Sequence, residues 1–296
     1  EMVAQMKQTD CYWYLSESLR PWEAAVAGAV ARAAIRDGAV IRSYSGGGTE
    51  SLGIPGLLSW RSLNAMERLF IVAARGKLWH LWGQPPSWWM FVRARSRTVH
   101  TRFDEGSKWE GHPTTLSSAA PRGYTYIPPA FEMKMSWGTE EGKDIFDESR
   151  PALFLLTGSA DDGRLYAQAA ASLSSMLIDF DREEEEMKLF ASGNCVLLLP
   201  RPTDSLALLA AFASLRGIPT VAARTAALDE LIGKDGYVPL LSESAEDVKK
   251  AFTTVLGEGG RGASAFARRN VTEAYPPDRS ARKLRELYRA VSEDDS

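Results

Sequence analysis

Two cysteines and three histidines in 296 residues leave little material for a metal centre or a disulfide framework. Cys11 and Cys195 each lie in an apolar run and read as free buried thiols. His80, His100 and His112 are isolated, with no Cys or Glu at ligand spacing, so no metal site is expected. No apolar run reaches the roughly 20 residues that span a bilayer. The stretch Glu1 to Asp10 is polar rather than leader-like. The reducing cytoplasm is the expected compartment.

A basic stripe is missing too. Lysine and arginine total 35 against 38 acids, for a net charge of −3, and they are scattered along the chain. That pattern argues against a nucleic-acid partner. No Gly-x-Gly-x-x-Gly follows the first strand of either half, which argues against a nucleotide-cofactor oxidoreductase.

What the chain does have is a twice-started alternation of strand and helix. Cys11 to Leu15 reads as a strand, Pro21 to Ile35 as an alanine-rich helix, and Ala39 to Ser43 as the next strand. One such unit implies a parallel sheet with helices on its faces. Gly46-Gly47-Gly48 reads as a flexible connection or a phosphate cradle. Further apolar runs follow at Leu69 to Ala73 and Leu78 to Trp82, then a helix from Ser87 to Arg95. Strands are expected at Thr98 to Arg102 and Tyr124 to Pro128. The polar residues 134–150 read as a linker between a first domain, 1–133, and a second, 151–277.

The second half restarts with Ala152 to Thr157, whose nearly unbroken hydrophobicity suits a sheet covered on both faces. A helix from Leu165 to Leu173, a strand from Met176 to Phe180 and an acid-led helix from Arg182 to Lys188 are expected next. Cys195 to Leu199 is a buried strand, Leu206 to Leu215 an apolar helix, and Pro219 to Ala223 a strand. Leu228 to Ile232 reads as a short helix and Tyr237 to Leu241 as a last strand, with three helices to finish.

The stretch Asn194 to Ile232 carries a resemblance. A strand ends in Pro200-Arg201-Pro202, Asp204 opens a helix, Gly217-Ile-Pro219-Thr-Val221 forms a strand, and Glu230 and Ile232 lie in a short helix. This resembles the C-terminal half of the GT-B glycosyltransferases of the family-4 (group 1) type. More loosely, Leu78 to Pro86 and Ile127-Pro-Pro-Ala-Phe131 resemble turns of that family's first domain.

The resemblance implies an α/β fold of two Rossmann-like domains facing a cleft, with a nucleotide-sugar donor held by the second domain. It implies sugar transfer with retention to a glycan, lipid or small-molecule acceptor, without a metal cofactor. It also implies that the last helix, 278–296, packs back on the first domain. Such sheets bind ligands beyond their strand C-termini. Asp204 takes the place of the family's first catalytic-site glutamate, and Phe212 the place of the second. Asp204 has two roles open, helix N-cap and ligand contact. The diphosphate would meet Thr157, Gly158, Ser159 and the backbone amides of Ser205 and Leu206. The family's Arg and Lys in this region are replaced by Thr157-Gly158-Ser159 and Asp161-Asp162-Gly163. Arg164, Arg201 or Arg224 could supply the missing charge or be surface residues. On the acceptor side, His80 reads as packing among tryptophans or as an acceptor contact, with Gly83 and Gln84 beside it. Four of the nine tryptophans lie between Trp79 and Trp89, and Trp88, Trp89, Phe91 and Val92 form core or a partner- or membrane-facing patch. The missing carboxylate and cations keep a second class open, a catalytically degenerate binding or scaffold subunit.

Overall fold

A computed structural model describes residues 11–46, 53–73, 78–92, 97–101, 103, 111–116, 123–132, 152–157, 163–179 and 194–293. The chain divides into two compact units, one comprising Glu1–Glu132 with Tyr275–Ser296, the other Met133–Ala274.

In the first unit the strands are β1 (Cys11–Leu15), β2 (Ile41–Ser45), β3 (Leu58–Ser59), β4 (Leu78–Trp82), β5 (Arg97–Thr101), β6 (His112–Thr115) and β7 (Thr125–Tyr126). They form one sheet in the order β3-β2-β1-β4-β5-β6-β7, and all pairs are parallel. The helices are α1 (Pro21–Arg36), α2 (Ala65–Ala73) and α3 (Trp89–Val92). Pro21 opens α1 at a position where no N–H is needed, and the Glu23 carboxylate accepts from the Arg20 amide at 2.8 Å. Alanines then let α1 sit buried from Ala24 to Ala31. It ends at Gly38, which takes φ +90°.

In the second unit β8 (Leu153–Leu156), β9 (Met176–Asp179), β10 (Cys195–Leu199), β11 (Thr220–Ala222) and β12 (Val238–Pro239) form a parallel sheet in the order β12-β11-β10-β8-β9. Around it lie α4 (Gly163–Ser172), α5 (Asp204–Leu215), α6 (Ala226–Leu231), α7 (Ala245–Val255) and α8 (Glu258–Ala274). Leu206 to Leu215 of α5 are buried on every side, as a helix apolar all round must be. Phe154 of β8 stacks on Phe252 of α7 with ring centroids 3.9 Å apart.

The last helix, α9 (Pro277–Glu293), belongs to the first unit. It buries Ala281, Leu284, Leu287 and Tyr288, and Ser280 Oγ donates to the Pro129 carbonyl at 3.1 Å.

Several expectations need correction. The apolar run Leu69 to Ala73, given no element by the sequence, is the end of helix α2, and β3 and β6 carry no sequence expectation. The tryptophans are interior: Trp79 and Trp82 are fully buried and Trp89 is 2% exposed. Trp88 is half-buried and stacks on Trp60 at 4.2 Å. A Trp-rich partner surface is therefore not what this stretch builds; Trp79, Trp88 and Trp89 pack into an aromatic core with Tyr12, Tyr14 and Tyr44, and Trp82, on the other face of β4, packs against Trp13 and His80. The expected linker 134–150 and the helix from Arg182 to Lys188 lie outside the described residues, as do the Phe91 and Val92 side chains. Among the described residues no helix is long and apolar enough to cross a membrane.

Candidate functional site

Both sheets reverse strand order once, and open parallel sheets bind ligands beside such reversals, beyond the strand C-termini. In the second unit the reversal lies between β8 and β10. Thr157 follows β8, is 1% exposed, and its amide donates to the Leu198 carbonyl at 3.1 Å. Gly158 and Ser159 lie outside the described residues.

After β10 the chain turns through Pro200, Arg201 and Pro202 into α5. The N-cap is Thr203, whose hydroxyl accepts from the Leu206 amide at 3.3 Å. Asp204 is therefore not the cap. It is the first residue of the helix, exposed, where a carboxylate is favoured by the helix dipole. The Leu206 amide expected to seat a phosphate is already engaged by Thr203. Ser205 is half-buried beside it. Phe212 is 3% exposed and belongs to the core, so it replaces a carboxylate with packing.

Two arginines stand on this edge. Leu199 of β10 pairs with Ala222 of β11, and Arg201 and Arg224 each follow two residues later. Arg201 pairs with Glu243 at 3.7 Å, both half-exposed. Arg224 Nε lies 3.2 Å from Asp229 Oδ2, and the Tyr237 hydroxyl donates to Asp229 Oδ1 at 2.7 Å. Burial, then the Asp229 hydrogen bond, push the Tyr237 phenol up to about 12, so it stays a donor. Tyr237 and its carboxylate partner also hold Arg224 more firmly protonated. Arg164, by contrast, is an exposed residue of the first turn of α4.

In the first unit the reversal lies between β1 and β4. The Ser16 amide donates to Trp82 O and the Gly83 amide to Thr101 O, both at 2.9 Å. Gly83 takes φ +80°, and a Cβ there would lie 2.8 Å from Leu19 Cδ2. His100, fully buried, holds the Gly83 carbonyl at 2.7 Å through Nε2. Gln84, next along, is exposed.

His80 does not reach this edge as an acceptor contact. It is fully buried, with Nδ1 2.7 Å from the Tyr288 hydroxyl and Nε2 2.8 Å from Thr101 Oγ1. Thr101 Oγ1 continues the chain to Thr114 Oγ1 at 2.5 Å. Burial, reinforced by nearby His100, holds the His80 pKa well below its ordinary value. Strand alternation turns the ring inward, and both nitrogens are used in fastening α9 and β5. It is a structural group.

Sequence reasoning missed Thr203, Asp229 and Tyr237. The first was legible, since Thr-Asp presents two cap-forming residues in succession. The Asp229–Tyr237 contact joins helix α6 to the connection that leads into β12 and has no local signature. Among the described residues no group of three or more His, Cys, Asp or Glu could hold a metal ion.

No family model matches the sequence, and no curated protein matches it. Solved structures do match the fold. A glycosyltransferase from Rickettsia africae ESF-5 aligns at 11% identity with a TM-score of 0.60, over 97% of this chain and 99% of that one. Anabaena HepE, solved in complex with UDP-glucose, aligns at 11% identity and a TM-score of 0.63, over 95% and 99%. WaaG, a glycosyltransferase of lipopolysaccharide biosynthesis, aligns at 10% identity and a TM-score of 0.56, over 94% and 99%. With its two parallel sheets matched over nearly the full length of these chains, the protein has the GT-B glycosyltransferase fold.

Proposed function

We propose that the protein transfers a sugar from a nucleotide-sugar donor to a glycan, lipid or small-molecule acceptor, as a retaining glycosyltransferase of the family-4 type. The observation that carries this reading is the C-terminal edge of the second sheet. There the N-terminus of α5, the Asp204 carboxylate and arginines from two adjacent strand ends stand together on one edge.

Each has a task in the chemistry. Breaking the bond between sugar and diphosphate develops negative charge on the leaving group, which oriented donors and cations stabilise. Arg201 and Arg224 supply the cations, the positive end of the α5 dipole adds to them, and the reading asks for no metal. Asp204 faces the transferred sugar, where a carboxylate accepts hydroxyl hydrogen bonds and favours developing positive charge at the anomeric carbon. Phe212 cannot take a ribose hydroxyl, so that contact falls to other groups. Thr157 closes the floor of the site. The acceptor belongs to the first unit, beside Gly83 and Gln84. A lipid-linked acceptor would bring the chain to a membrane surface, where the exposed Met66, Leu69 and Met90 of α2 and α3 suit an interface.

A thermal-shift screen against UDP-, GDP-, ADP- and TDP-sugars tests the reading. A ligand at about 100 times its Kd adds about 2.7 kcal/mol to stability, so at least one donor is expected to raise Tm by a few degrees. A flat panel from folded protein would rule out donor binding.

A further inference from the structure

A diphosphate leaving group needs firmly placed positive charge, yet the segment 157–163 that follows β8 contains two aspartates and no cation. The charge has to come from elsewhere on the same edge. Arg224 differs from an ordinary surface arginine in how it is held. Its side chain is 61% exposed, while the Asp229 side chain that grips it is 20% exposed and the phenol that grips the carboxylate belongs to a residue only 3% exposed. The anchor is part-buried, with a buried residue behind it, and the head is open. A solitary arginine gives up considerable rotamer freedom on binding a phosphate; one whose Nε already lies against a fixed carboxylate has surrendered part of it beforehand, and its fork still has donors left for a ligand.

We infer that Arg224 is the cation that receives the donor diphosphate, and that Asp229 and Tyr237 are positioning residues that aim it. This rests on the donor reading above and names which residues carry it. Tyr237 reaches Asp229 across the short connection between α6 and β12, so the aim of Arg224 depends on a residue eight positions beyond the carboxylate. A mere surface salt bridge would need no such support and would contribute little.

The test compares affinities of UDP, ADP and GDP with those of uridine, adenosine and guanosine, by calorimetry, for the wild type and four variants. The wild type should prefer at least one diphosphate to its nucleoside. Arg224→Gln should cut that preference about tenfold or more, the usual scale of a lost charge-assisted hydrogen bond, and Arg224→Lys should restore part of it. Tyr237→Phe and Asp229→Asn should lower it several-fold while nucleoside affinity holds, a pattern that general loosening of the fold does not produce. An unchanged ratio in Arg224→Gln, Asp229→Asn or Tyr237→Phe overturns the inference and leaves the donor reading standing. Failure of the wild type to bind any of the six compounds overturns both.

Discussion

The hydroxyl of Tyr288 lies 2.7 Å from His80 Nδ1, a hydrogen bond between residues 208 positions apart. It fastens the last helix to the middle of the first sheet, because His80 belongs to β4 and its other nitrogen is tied to Thr101 of β5. Arg285 to Asp37 at 2.7 Å and Ser280 to Pro129 at 3.1 Å add two further ties on the same helix. The buried tie matters most, since water cannot replace a lost partner inside the core.

Tyr288→Phe keeps the ring and deletes the hydroxyl, so His80 Nδ1 is left buried without its partner. The expected cost is about 1–3 kcal/mol. Urea denaturation should show the midpoint falling with little change in slope. A cost below about 0.5 kcal/mol, the scale of an unremarkable surface change, would mean that the hydroxyl contributes nothing to docking α9.

The same pair sets a pH dependence. His80 is held neutral in the folded protein, with its pKa well below the value it recovers on unfolding. The unfolded chain therefore binds more protons as pH falls, and stability is lost progressively once pH drops below the ordinary histidine value near about 6.5. Above that value the contribution is fully present. Melting temperatures of the wild type should decline between about pH 6.5 and 5, and His80→Gln, less stable throughout, should decline less steeply. Equal slopes would remove His80 as the cause.

The strands of the two sheets show which parts of the fold a sequence carries openly. β1, β4, β8 and β10 are short apolar runs that bury every or nearly every residue, and hydrophobicity alone marks them. β6 reads His-Pro-Thr-Thr and carries no such mark; its place depends on Thr114 meeting Thr101 and His112 meeting Thr125, partners settled only by folding. α2 was hidden for a different reason. Its capping box, Asn64 and Glu67 bonding each other's amides at 2.9 Å, was present but overshadowed by the apolar run that follows. The tryptophans misled because a crowded run of rings resembles a sticky surface unless the strand that turns them inward is recognised. At the candidate site, Asp204 and the arginines could be named from the sequence, whereas the arrangement of Asp229, Tyr237 and Arg224 could not.

Gly83 stands where the acceptor-side turn leaves β4. Its φ of +80° is unfavourable for any L side chain, and a Cβ would sit 2.8 Å from Leu19 Cδ2 and 3.0 Å from Ser16 Cβ. Leu19 can swing aside, but the backbone cannot relax without pulling the Gly83 carbonyl from His100. Gly83→Ala should cost about 1–3 kcal/mol, measurable as a lower urea midpoint. A neutral effect would show that the turn is free to readjust.

Thr203 allows stability and function to be separated at the donor edge. Its hydroxyl satisfies the Leu206 amide at 3.3 Å and so caps α5. Thr203→Ala should cost about 1 kcal/mol, with Thr203→Ser keeping most of the cap. Thr203→Asp should cap at least as well, because an aspartate side chain accepts the same amide and favours the positive end of the helix. It also sets a second carboxylate beside Asp204, where a donor diphosphate would approach. The expected outcome is opposite signs: a Tm equal to or above the wild type, and a weaker thermal shift with nucleotide sugars. If Thr203→Asp binds donors as well as the wild type does, the diphosphate does not lie at the start of α5.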